Sequence, residues 1–75
     1  MFPAYRKYKN SKTFYKIINE NSFEEISFVG EKAFLYQIEA NQYPEYLRIQ
    51  DMLACKDGIW EEIDVKNYET QKNSI

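Results

Sequence analysis

The chain has no histidine, a single cysteine (Cys55) and only two glycines, Gly30 and Gly58. Without an imidazole, the catalytic triads and dyads that depend on a histidine base are out of reach. One thiol closes no intrachain disulfide and cannot assemble a zinc site of the Cys and His type. Two isolated glycines make no phosphate-cradling loop. No apolar run approaches the length of a membrane span, and the N-terminus lacks the apolar core of a signal peptide. These absences predict a soluble cytoplasmic protein that is not an enzyme, takes no cofactor or metal and does not engage a membrane. At 75 residues there is room for one core only.

What the chain does have is rings: seven Tyr, five Phe and one Trp. Aromatic side chains bury large areas and so offset small size, but a body this small leaves some of them at the surface, which favours self-association. The charge is unevenly distributed. Arg6, Lys7, Lys9, Lys12 and Lys16 fall within the first 16 residues, which hold no acid, and all 12 acidic residues come later. Such a split invites an anionic partner or self-complementary packing.

Residues 22–40 hold the densest apolar content, with Gly30 near the middle. Phe23, Ile26, Phe28 and Val29 before the glycine, and Phe34, Leu35, Tyr36 and Ile38 after it, suit a pleated sheet. This is a central β-hairpin. A three-residue loop, Gly30 to Lys32, is expected, because it gathers Ile26, Phe28, Phe34, Tyr36 and Ile38 on one face. A competing reading takes Ser22 and Glu25 as a capping box and Gly30 as a helix stop. The β-branched and aromatic run from Ile26 to Val29 argues against it.

Residues 4–18 form a first hairpin turning at Asn10 and Ser11. One face carries Ala4, Arg6, Tyr8, Thr13, Tyr15 and Ile17 and faces the core. The other carries Tyr5, Lys7, Lys9, Lys12, Phe14 and Lys16, a lysine surface with two rings set in it. Pro44 suits a first helical turn, and from Glu45 to Ala54 the residues Tyr46, Ile49, Met52 and Leu53 share a stripe. Gly58 is placed to follow the helix end. The pair Asp57-Gly58 also matches a hairpin turn that would make 52–56 a strand, although Asp51 spoils that alternation. Residues 59–65 alternate as a last strand whose acids discourage further pairing. The expected fold is α+β, a small antiparallel sheet of four to five short strands with one helix packed on one face. Residues 1–65 make up the domain, and 66–75 a disordered tail.

The doublets Glu24-Glu25 and Glu61-Glu62 point to opposite faces of their strands, so neither makes an acid–base pair by itself. Cys55 reads as a small apolar filler, and Trp60 as core. The function expected is a non-catalytic protein-interaction module that associates with itself through complementary basic and acidic surfaces. The alternative is a single-stranded nucleic-acid binder using Tyr5, Lys7, Lys9, Lys12, Phe14 and Lys16. In that case lysines would track phosphates and rings would stack on bases.

Overall fold

The computed structural model describes residues 2–75. Strands β1 (Ala4–Tyr8), β2 (Thr13–Asn19), β3 (Ser22–Val29) and β4 (Lys32–Glu39) form an antiparallel meander. Helix α1 (Tyr43–Ala54), a 3₁₀ turn (Lys56–Gly58), strand β5 (Trp60–Glu62) and helix α2 (Val65–Lys72) follow. β5 returns to pair with β1, so the five-stranded sheet runs β4-β3-β2-β1-β5. The class is α+β as expected, with a second helix on the far face.

The first hairpin takes the expected register, Ala4 opposite Ile17 through Lys7 opposite Phe14. Asn10 adopts a left-handed φ of 63°, which a short polar side chain tolerates. The second hairpin differs from expectation. Val29 pairs with Lys32, so the loop is the two residues Gly30 and Glu31, with Gly30 at φ 63°. Ile26 therefore stands opposite Leu35, while Phe34, Tyr36 and Ile38 lie across from Ser27, Glu25 and Phe23 on the other face. The three-residue loop assumed one apolar face. This sheet is covered on both faces, so its apolar residues need not gather on one.

On one face, α1 supplies Ile49 and Met52 to a core with Tyr15, Ile17, Phe23, Ala40 and Trp60. On the opposite face Tyr68 of α2 packs with Phe14 and Ile26. Helix α1 begins where Glu45 Oε1 accepts the Asn41 and Gln42 amides at 2.8 and 3.1 Å. It ends at Cys55, left-handed at φ 51°, three residues before Gly58. Residues 52–56 are therefore not a strand, and Gly58 closes the 3₁₀ turn instead.

Two boundaries near the C-terminus need correction. β5 stops at Glu62, because Asp64 leaves the sheet to cap α2, its Oδ1 accepting the Asn67 amide at 2.7 Å. The segment expected to be a disordered tail carries that helix, anchored by Tyr68, which is fully buried. One ring in the right place outweighs the polarity of the other residues. Among the described residues no helix is long and apolar enough to cross a membrane.

Candidate functional site

The lysine-and-ring face of the first hairpin lies beneath α2. Phe14 is buried against Ile26 and Tyr68, and Tyr5 packs on Tyr68 with ring centroids 5.3 Å apart. Lys16 stands opposite Glu24, half-buried in mid-sheet. Lys9 is exposed and donates its backbone amide to the Ile59 carbonyl at 2.8 Å. Of the predicted set, only Lys7, Lys12 and Phe14 come together. With Phe28 and Gln71 they border a groove of about 540 Å³ at the turn end of the hairpin. The rings expected to stack on bases are thus packed against the protein's own helix.

The charge split is resolved within the chain. Lys7 stands opposite Glu61, Arg6 opposite Glu62 and Lys16 opposite Glu24, so the basic hairpin lies between acidic strands. Complementary surfaces on two copies are therefore not needed to explain it.

Sequence reading missed Arg6 as a structural hub. Its guanidinium is buried and donates to the Met52 and Leu53 carbonyls of α1 at 2.8 and 3.2 Å, and to the Tyr5 carbonyl at 2.8 Å. Helix C-termini leave carbonyls without partners and favour cations. The last turn of α1 has no basic residue of its own, so β1 supplies one. A looser contact reaches Glu62 at 3.9 Å.

Glu24 is the buried carboxylate. It accepts from the Tyr68 hydroxyl at 3.1 Å, Lys72 Nζ at 3.2 Å and Gln37 Nε2 at 3.4 Å. Burial pushes its pKa up, but hydrogen bonds from Lys72 and Tyr68 and the Lys72 charge outweigh this and hold the carboxyl below its ordinary value. Burial, then the neighbouring Glu24 charge, pushes the Tyr68 hydroxyl well up. Every oxygen of Glu24 is engaged in fastening α2 to the sheet, which makes it an anchor. Its chain neighbour Glu25 lies on the opposite face. The doublet at Glu61 is held away on β5, three strand spacings or about 14 Å from β3.

A run of consecutive exposed apolar residues lies along β4. Phe34 is 40% exposed, Leu35 37% and Tyr36 49%. The strand is an outer edge of the sheet. The Ala40 amide bonds the Asn21 carbonyl opposite it at 2.6 Å, which sets the phase of the β3–β4 ladder. Bonded pairs alternate along an antiparallel ladder. Lys32, Phe34, Tyr36 and Ile38 thus bond inward, and Ala33, Leu35, Gln37 and Glu39 turn their N–H and C=O groups outward. From Ala33 to Ile38 the strand has no charge, proline or bulge.

No protein-family model, no curated protein and no solved structure matches this chain.

Proposed function

We propose that this chain is a non-catalytic protein-interaction module that takes up an extended strand along β4. The observation that carries this reading is the bare edge from Ala33 to Ile38, with rings exposed beside it. Edge strands that are not meant to pair are normally short, charged, bulged or covered. An open ladder gives main-chain hydrogen bonds to an incoming strand, and alternate side chains give selectivity. The lone Cys55, unpaired, supports a reducing cytoplasmic setting.

A display library of extended peptides tests the reading. Binders should be recovered, and they should be lost with Leu35→Pro, which removes an outward amide that β3 does not use. A library without binders, together with a protein that does not self-associate, would remove the edge from consideration.

A second reading, single-stranded nucleic acid, draws support from Lys7 and Lys12 beside Phe14 and Phe28 at the groove. Oligonucleotide titration decides it, since failure to bind even at low ionic strength ends the idea.

A further inference from the structure

We infer that the occupant of the β4 edge is a second copy of this chain, paired antiparallel about a two-fold axis that passes between the two Tyr36 residues. The inference rests on the edge reading above and deepens it by naming the partner.

The phase of the ladder restricts the possibilities. A two-fold axis normal to the sheet places residues of the same face opposite one another, so odd positions meet odd and even meet even. Centring on Tyr36 sets Leu35 against Gln37 of the other copy and Ala33 against Glu39. All four outward-facing residues of each strand then find bonded partners, giving about eight new hydrogen bonds. On the α1 face Phe34 meets Ile38 of the other copy and Tyr36 meets its equivalent, pairs of the kind that stabilise sheets. No like charges stand opposite each other. Moving the axis to Leu35 leaves Glu39 without a bonded partner and brings Glu31 of one copy against Glu39 of the other. The register centred on Tyr36 is thus the one that gives every outward-facing residue of the strand a bonded partner within β4.

Closure supports a pair in preference to a fibre. The other sheet edge, β5, is three residues long with Glu61 and Glu62 exposed. Only one edge invites pairing, so the assembly ends at two copies joined by a ten-stranded sheet. The chain's net charge of −2 is too small for mutual repulsion to hold the copies apart.

Cysteine crosslinking in a Cys55→Ser background reads the register directly. Tyr36→Cys places two thiols across a non-bonded pair, within disulfide reach, and should give a covalent dimer under mild oxidation. Phe34→Cys puts its thiols about 14 Å apart along the strands and should give none, whereas Phe34→Cys with Ile38→Cys should crosslink. Sedimentation of the unmodified chain should show a monomer–dimer equilibrium, and Leu35→Pro should weaken it by roughly tenfold or more. Leu35→Lys serves the same purpose if circular dichroism shows that the proline variant has unfolded. A strictly monomeric chain at millimolar concentration overturns the inference. If peptides from the library still bind that monomer, the edge reading stands and only self-pairing falls. Crosslinking of Phe34→Cys alone overturns the register.

Discussion

At one edge of the sheet, β5 presents three residues with two exposed acids, followed directly by a helix that folds back over the sheet. At the other, β4 presents eight residues with a six-residue uncharged stretch and exposed rings on its α1 face. Arg6 ties β1, the neighbour of β5, to α1, and Tyr68 with Glu24 fastens α2 over the middle strands, whereas the outward ladder positions of β4 have no strand beside them. The anchoring side chains thus fasten the two helices to the sheet, and the outward edge of β4 takes no part in that fastening. Substitutions should therefore separate, with stability lost at the anchors Arg6, Tyr68 and Glu24 and association lost on the outward edge of β4.

The largest stability effect is expected from Tyr68→Ala, which empties a fully buried site and should cost about 4 kcal/mol in urea unfolding. That approaches the whole stability of a domain this size, about 4–11 kcal/mol. Arg6→Ala comes next. It strips two helix-end carbonyls of their donor, an expected loss of about 3 kcal/mol by the same measurement. Arg6→Lys should recover only part of it, since an ammonium lacks the planar fork.

Glu24→Gln should cost about 1–2 kcal/mol and alter the pH dependence. A carboxyl held below 4.5 in the folded state binds fewer protons there than when unfolded. Its contribution is complete above that value and is lost as pH falls through the folded pKa. Acid titration of the native chain should show this loss first at α2, and Glu24→Gln should abolish it. At the alkaline end Tyr15, raised to about 12 mainly by burial and then by Glu25, works in the opposite sense. Its contribution is intact below the ordinary phenol value and fades as pH climbs toward 12.

Trp60→Phe should cost under about 1 kcal/mol, because the buried Nε1 has no hydrogen-bond partner to lose and the donor itself disappears. Smallest of all, Leu35→Lys on the open edge should change thermal stability by no more than about 0.5 kcal/mol. A large loss there would show that β4 also holds the fold together, and the contrast between the edges would collapse.

Much of this architecture was legible in the sequence. Alternation through Tyr8 and Thr13 fixed the first hairpin, and Pro44 with the Ile49 and Met52 stripe placed α1. The second loop was misread because a one-sided core was assumed, which put Leu35 on the wrong side of the apolar count. Helix α2 was missed because only Tyr68 among its residues is buried; the available signal was Asp64 as an N-cap. Alternation put Arg6 on the core face, but its partners were hidden, since the Met52 and Leu53 carbonyls lie some 46 residues away and only the packing of α1 brings them to β1. The bareness of β4 was present in the letters, but only sheet order shows that the strand lies outermost.

The bond from Arg6 to the Met52 carbonyl joins positions 46 apart, whereas the meander is stitched by short turns. Local turns close at little entropic cost and long loops close later. On the ribosome, β1 to β4 can assemble while β1 still waits for β5 and Arg6 still waits for the carbonyls of α1. During that interval the nascent sheet has two open sides, and it becomes one-sided only once β5 has emerged to pair with β1.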